Sequence, residues 1–328
     1  MPSPTPNNRT ALVTGASGFI GRALIPALEA RGWQVRTAAR RPLERSDHVL
    51  VGDLGPDTDW RAALAGIDAV FHLAARVHQM QEDPATAREQ HRRANLQGTL
   101  RLARQAEEAG VSRFLYFSSV KALAESAGHP MGEDAPARPL DAYGRSKRAA
   151  EEALLAPDGP MAGGMAVTVI RPPLVHGPGA GGNLARLMGW IERGRPLPFD
   201  AALNRRSMVS VANLADAAVF LAQSESAAGR IFHVTDGEAA TVRDFLRHLA
   251  AALNRPARLW PIPPSILRFG GSLLGRGDDM RRFLDTLVLE DQNLRSLGWQ
   301  APQDLPTGLK AMADAFRDAQ QANRERRG

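Results

Sequence analysis

The chain has 328 residues, 44% of them apolar, with charged residues of both signs and a formal net charge of +6, a balance that excludes a disordered or fibrous chain and suits one large globular domain with a smaller lobe. It has no cysteine, which excludes a disulfide framework and a thiolate metal site, and no metal site is expected. The arginines are scattered beside acids rather than gathered in a run, so no nucleic-acid partner is expected, and the surplus charge suits a small polyanion such as a dinucleotide or a sugar nucleotide.

The N-terminal residues Met1 to Asn8 are Pro-rich and polar, without a basic-then-apolar leader pattern, and no apolar run has the length of a membrane span. The expected compartment is the cytoplasm, with flexible ends at 1–8 and 320–328. Thr10 to Val13 has the composition of a buried parallel strand, and the segment from Phe19 to Arg31 repeats apolar residues at helical spacing until Gly32. Between them lies Thr14-Gly15-Ala16-Ser17-Gly18-Phe19-Ile20-Gly21, with three glycines at G-x-x-G-x-x-G spacing. Strand, tight turn and helix in that order form a dinucleotide cradle: Gly15 permits the turn, Gly18 lets backbone approach a pyrophosphate, and Gly21 lets helix pack on strand. Pro26 is expected to kink the helix.

Gln34 to Ala39 reads as the second strand. An acid at its end binds the ribose hydroxyls of NAD, whereas arginine accommodates the 2′-phosphate of NADP. Ala39 occupies the acid's place and Arg40 and Arg41 follow, which points to NADP(H), with NAD as the alternative. His48 to Val51 is a short third strand leading to Asp53 and Leu54, and Asp59 to Ala65 is a helix. Ala69 to Ala75 is a fourth strand, whose final Leu73, Ala74 and Ala75 would let a cofactor approach the backbone; His72 within it reads as a packed core residue. A single long helix is expected from about Ala85 to Ala109, with Asn95 near its middle. Arg113 to Phe117 is a fifth strand that runs into Ser118 and Ser119.

After an irregular stretch from Ala124 to Asp141, a helix carries Tyr143 and Lys147 to about Leu155. Val167 to Arg171 is a sixth strand, and Pro172 to Asn183 a glycine-proline loop. Beyond it the elements are shorter and interleaved, including the segment Arg205 to Val211, a helix from Asn213 to Gln223 and a strand from Arg230 to Val234. Ile266 to Leu274 is apolar enough to touch a membrane surface, but the commoner arrangement, a buried lobe helix, is expected. The alternation of strands and helices predicts an α/β, doubly wound parallel sheet of the Rossmann type. Its expected bounds are 9–175 plus about 208–235, with a discontinuous lobe from about 176–207 plus 236–316.

Tyr143 and Lys147 are four residues apart and share one helix face. An ammonium beside a phenol is expected to favour the phenolate and lower a pKa that is ordinarily near ~10. Such a tyrosine exchanges a proton with an alcohol as hydride leaves or arrives at its carbon, and Ser119 would hold the oxygen.

The order TGASGFIG, GDL, HLAA, Asn95, FSS, YGRSK and IRPPLVHGPG resembles the extended short-chain dehydrogenase/reductase family over nearly the whole chain. The resemblance implies Ser119, Tyr143 and Lys147 as the catalytic set and Asn95 as a helix-kinking partner of the lysine. It implies Asp53 and Leu54 at the adenine, Ala74 at the ribose, and Pro172 to Val175 near the nicotinamide. His176 departs from the tyrosine usual before Gly-Pro. Within the family the chain is similar to enzymes of nucleoside-diphosphate sugars, in which Asn183, Arg206 and Arg282 fall where substrate phosphates are held; for Arg206 a lobe-to-sheet salt bridge is the structural alternative. Val120 and Lys121 stand where the dehydratases carry an Asp-Glu pair, so dehydration is not expected.

The stretches SSVK, YGRSK, NRRS and WPIPPSILRFGG resemble bacterial polysaccharide-pathway enzymes that reduce a UDP-4-keto-6-deoxy-N-acetylhexosamine. Together with Arg40 and Arg41 this points to an NADPH-dependent C4 reductase. A UDP-sugar 4-epimerase is the alternative, and a non-catalytic dinucleotide sensor or assembly protein the alternative of another class. A homodimer is compatible with every reading.

Overall fold

A computed structural model of the chain describes residues 9–77, 83–273, 280 and 283–325. Its first half alternates as the sequence predicts: β1 (Thr10–Thr14), α1 (Phe19–Ala30), β2 (Gln34–Ala39), β3 (His48–Leu50), α2 (Arg61–Leu64), β4 (Ala69–His72), α3 (Pro84–His91), α4 (Thr99–Glu108), β5 (Arg113–Phe117), α5 (Ala142–Leu154) and β6 (Ala166–Arg171). Then follow β7 (Leu174–His176), α6 (Gly182–Glu192), β8 (Arg205–Arg206), β9 (Met208–Ser210), α7 (Val211–Gln223), β10 (Arg230–His233), β11 (Ala240–Thr241), α8 (Val242–Ala252), α9 (Pro264–Leu273), α10 (Gln292–Ser296) and α11 (Leu305–Glu325).

Seven strands form one parallel sheet in the order β10-β6-β5-β4-β1-β2-β3. Val13 of β1 stands beside Thr37 of β2 on one side and Phe71 of β4 on the other. The strand order reverses at β1, and open α/β sheets bind ligands at the carboxyl ends beside such a reversal. Ala11, Leu12 and Val13 are wholly buried because helices cover both faces. Leu24, Leu28, Leu214 and Leu221 of α1 and α7 close one side. Leu102, Ala106, Ala150 and Leu154 of α4 and α5 close the other over Phe114 and Tyr116. The lobe has a core of its own, in which Met188, Leu246, Leu249, Leu309 and Met312 meet.

Several sequence expectations change. Helix α1 runs unbroken through Pro26; the proline lies on its exposed side, where a carbonyl without a helical partner is solvated, while Leu24, Ile25 and Leu28 anchor the buried side. The long helix of 85–109 is two α-helices separated by a π-helical stretch, Arg92–Gly98. It ends in a crowded place: a side chain at Gly98 would come within 2.9 Å of the Gly55 nitrogen and the Leu54 side chain. The glycine-proline loop contains β7, which pairs in parallel with β9. Residues 320–325 continue α11 rather than forming a separate tail, while 1–8 and 326–328 lie outside the described residues. Finally, α9 is not a buried lobe helix, for Ile266, Phe269 and Leu273 face solvent. Only the side carrying Leu267 packs on the lobe core.

Candidate active site

The glycine turn between β1 and α1 is built by close backbone approach. Gly15 has φ +70°, and a Cβ there would lie 2.8 Å from the Ala74 nitrogen after β4. A Cβ at Gly21 would lie 2.5 Å from the Gly15 oxygen. These two glycines are demanded by the chain itself. Gly18 is different: it is exposed, and an added Cβ would meet only the Gly15 oxygen, at 3.1 Å. It caps α1 without any side-chain hydrogen bond, and no acid stands in that helix's first turn. The first-turn amides therefore face outward beside an exposed Ser17 and half-buried Phe19 and Ile20, an arrangement that fits the pyrophosphate of a dinucleotide.

Around this cradle Thr14 links three elements. Its hydroxyl lies 2.7 Å from His72 Nδ1 and accepts from the Ala74 amide at 3.2 Å. His72 Nε2 reaches Thr99 at 2.9 Å, and burial pushes this imidazole down to about 3. His72 is thus a neutral core strut that holds the half-buried run Leu73, Ala74 and Ala75 in place. At the end of β2, Arg40 donates to Asp53 at 2.9 Å, both side chains largely exposed. Arg41 is exposed as well, and its carbonyl lies 3.2 Å from His48 Nε2. Leu54 packs on the sheet core.

The second cluster gathers where β5 ends. Ser119 is extended, with φ −162°, and its Oγ accepts from the Lys121 amide at 3.2 Å. Asp141 caps α5 by accepting from the Gly144 amide at 2.7 Å, which starts the helix so that Tyr143 and Lys147 face the strand. Lys147 is buried; its Nζ donates to the Phe117 carbonyl at 2.7 Å and lies 4.5 Å from the Tyr116 ring centroid and 5.9 Å from that of Tyr143. Burial lowers this amine to about 7, against the opposing pull of Glu151. The Ser119 hydroxyl faces the Tyr143 phenol and favours its ionised form.

The phenol does not follow the sequence expectation. It is pushed up to about 12, by burial first and the Asp141 carboxylate second, with the Ser119 side chain opposing them. A lysine that burial has itself brought near neutrality supplies little positive charge to counter that desolvation. The ligand-free tyrosine is therefore held neutral, facing serine and flanked edge-on by His91 with ring centroids 5.9 Å apart.

Asn95 sits at the π-helical stretch and is turned inward. Its Oδ1 accepts from the Arg76 amide at 2.7 Å, and its Nδ2 donates to the Arg76 carbonyl and to Ser146 Oγ, each at 3.0 Å. It thereby fixes the chain after β4 against the residue preceding Lys147. Two buried features escaped the sequence reading. Arg171 at the end of β6 is bidentate to Glu151 at 2.8 and 2.6 Å, and Glu151 accepts from Ser118 at 2.5 Å. His176 Nε2 lies 2.7 Å from Asp236, whose other oxygen accepts from the Ser210 amide and from Asn213, each at 2.7 Å. A signal existed for the first: Glu151 is one helical turn beyond Lys147, and Arg171 closes a strand that carries no other charge.

Pro172 is buried, and its carbonyl accepts from the Val120 amide at 3.0 Å, while Val175 packs on the sheet core. This joins the start of β7 to the serine segment. A cavity of about 870 Å³ lies between residues 124–140 and the lobe, lined among others by Glu125, Asn204, Arg268 and Asp285. Arg206 is half-buried and donates to the Asp285 carbonyl at 2.8 Å. That is a main-chain bond; the Asp285 carboxylate pairs instead with Arg268, at 2.8 Å. Asn183 is exposed on α6 and bonded to Arg186, whereas Arg206 is bonded to Asp285. Arg282 lies outside the described residues. Among the described residues no cluster of His, Asp and Glu suited to a metal occurs, and no helix is long and apolar enough to cross a membrane.

A seven-stranded parallel sheet with an open glycine cradle at its reversal and a Ser-Tyr-Lys cluster at the end of β5 defines a dinucleotide-dependent enzyme of the extended short-chain dehydrogenase/reductase type. The chain belongs to the NAD dependent epimerase/dehydratase family, whose model matches residues 11–235. It is 37% identical over 320 residues to a UDP-glucose 4-epimerase of Vibrio cholerae, covering 95% of this chain and 96% of the relative. It is 30% identical over 334 residues to a Stigmatella aurantiaca ketoreductase of a farnesylated dihydroquinoline oxide, covering 92% and 95%. Among solved structures it is similar to MoeE5 in complex with UDP-glucose and NAD, with TM-score 0.74, 26% identity and coverage of 95% and 99%.

Proposed function

We propose that the chain transfers hydride reversibly at C4 of a UDP-linked hexose and acts as a 4-epimerase. The observation that carries this reading is the likeness over almost the full length to a UDP-glucose 4-epimerase, joined to a serine, tyrosine and lysine gathered at one strand end. The dinucleotide would lie on Gly15, Gly18 and Gly21, with Ala74 beside its ribose, and supplies the hydride acceptor when bound. Ser119 orients the C4 hydroxyl. Tyr143 Oη, as phenolate in the oxidising direction, takes the proton of that hydroxyl, and as phenol in the reducing direction returns it. Lys147 fixes the strand end through Phe117 and supplies charge to the phenolate when protonated. Arg206 and the cavity wall would hold the nucleotide so that C4 meets Tyr143.

One observation favours a second reading. No acid ends β2; Ala39 is followed by Arg40 and Arg41, as a 2′-phosphate would require. An enzyme that exchanges NADPH at every turnover would then reduce a UDP-4-keto-6-deoxy-N-acetylhexosamine for polysaccharide synthesis, a reading supported by the likeness to a relative named as a ketoreductase. One experiment separates the two. The protein is given UDP-glucose or UDP-GlcNAc with a trace of dinucleotide, and in parallel UDP-GlcNAc with a 4,6-dehydratase and NADPH. Appearance of the C4 epimer by NMR without net change in nicotinamide absorbance supports the epimerase. Stoichiometric loss of NADPH with a C4 alcohol supports the reductase, and neither product refutes both.

A further inference from the structure

Helix α9 presents an apolar stripe to solvent. Ile266, Phe269 and Leu273 are 59%, 68% and 73% exposed, and residues spaced i, i+3 and i+7 fall within about 60° of one another around a helix. Trp260, at the entry to the helix, is 57% exposed. Burial in the lobe does not explain the stripe, because the lobe core is contacted through Leu267 on another side.

From Leu253 to Leu273 the sequence holds Arg255, Arg258 and Arg268 and no acid. Arg268 is tied to Asp285. Arg258 donates to the Gly194 carbonyl at 3.1 Å and so brings in Arg195, whose guanidinium lies 5.6 Å from the ring centroid of the half-exposed Trp190. The one acid of that neighbouring segment, Glu192, is engaged by Gln320. Asp200, whose amide donates to the Trp260 carbonyl at 3.1 Å, is paired with Arg247. Exposed tryptophans, an apolar helical stripe and a rim of arginines are the features of a helix lying in a lipid headgroup layer. A second copy of the chain fits less well, since a two-fold interface would bring two arginine-rich patches of the same sign together.

We propose that the α9 face docks on an anionic lipid bilayer, with Trp260, Ile266, Phe269 and Leu273 entering the headgroup boundary and Arg255 and Arg258 meeting lipid phosphates. Pro264 and Arg268, on the opposite side of the same helix, line the cavity between residues 124–140 and the lobe. This inference is independent of which C4 reaction the chain performs.

The test is co-sedimentation of the full chain with vesicles of phosphatidylcholine alone and of phosphatidylcholine mixed with phosphatidylglycerol. The protein is expected to pellet with the mixed vesicles, less as salt is raised, and weakly with phosphatidylcholine. Phe269→Ser combined with Leu273→Ser is expected to lower vesicle affinity at least about tenfold while leaving thermal melting unchanged, because both side chains are exposed. Arg255→Glu with Arg258→Glu is expected to abolish the preference for phosphatidylglycerol. Failure of the unmodified protein to pellet with mixed vesicles overturns the proposal, as does equal binding by the Phe269 and Leu273 double variant. If light scattering instead shows a dimer that the same variant dissociates, and vesicles capture nothing, the stripe is a subunit interface.

Discussion

Replacing Lys147 by methionine tests the central geometry, because the reasoning predicts that stability and activity move in opposite directions. The amine is 2% exposed and its pKa falls from 10.5 to about 7. At neutral pH, holding it in the folded chain costs roughly 4 kcal/mol at about 1.4 kcal/mol per pKa unit. Methionine removes that cost and fills a similar volume, but it leaves the Phe117 carbonyl without this donor, at about 1–3 kcal/mol. The net expectation is a gain of about 1–3 kcal/mol, seen as a melting temperature higher by a few degrees, with C4 chemistry lost. The sign of the pH dependence follows from the same shift. Between about 7 and 10.5 the unfolded lysine holds its proton while the folded one has released it, so the unmodified protein gains stability as pH rises through that window. Below it both states are protonated, and this contribution levels off. Urea unfolding of the ligand-free protein at neutral pH and at about pH 9 should show the slope in the unmodified chain and a smaller one in Lys147→Met. A variant that is less stable at neutral pH, or that keeps the full slope, refutes the account of Lys147.

Glu151→Gln leaves Arg171 wholly buried without its carboxylate and should cost about 3–5 kcal/mol in urea unfolding; an unchanged midpoint would show that the pair adds nothing. Gly18→Ala should weaken dinucleotide binding, read by fluorescence titration, with melting nearly unchanged. Gly21→Ala, whose Cβ would come within 2.5 Å of the Gly15 oxygen, should lower melting as well, and indistinguishable variants would contradict the two roles assigned to these glycines. Direct titration with NADPH and NADH should favour NADPH, and Arg40→Ala should erase much of that preference; equal affinities in the unmodified chain would remove the case for a 2′-phosphate site.

The sheet was legible because each strand is a short apolar run ended by Gly or small residues, and the helices between them carry one apolar face. Ser119, Tyr143 and Lys147 were legible for a related reason: a strand end and a helix start bring them together whatever the lobe does. The direction of the Tyr143 shift was not. Helical spacing shows that Lys147 is near but not how deeply both groups are buried, and burial dominates. The π-helical stretch at Asn95 ends at Gly98, which packs closely on Gly55 and Leu54, segments about forty residues apart in sequence that helical spacing alone does not bring together. Strand β7 was hidden because its three residues, Leu174, Val175 and His176, lie among glycines and prolines and pair only with β9. The preferred reaction also shifted. Arg40 and Arg41 pointed to a reductase, whereas the likeness to the Vibrio cholerae enzyme spans the lobe as well and favours epimerisation.

The most direct test of hydride transfer at C4 assisted by Tyr143 uses UDP-glucose deuterated at C4, assayed with the unmodified protein and with Tyr143→Phe. The account predicts slower turnover of the deuterated sugar, deuterium retained at C4 of the epimerised product, and a loss of about a hundredfold or more in rate for Tyr143→Phe with dinucleotide binding preserved. Interconversion that is insensitive to deuterium, or that continues undiminished in Tyr143→Phe, would contradict it.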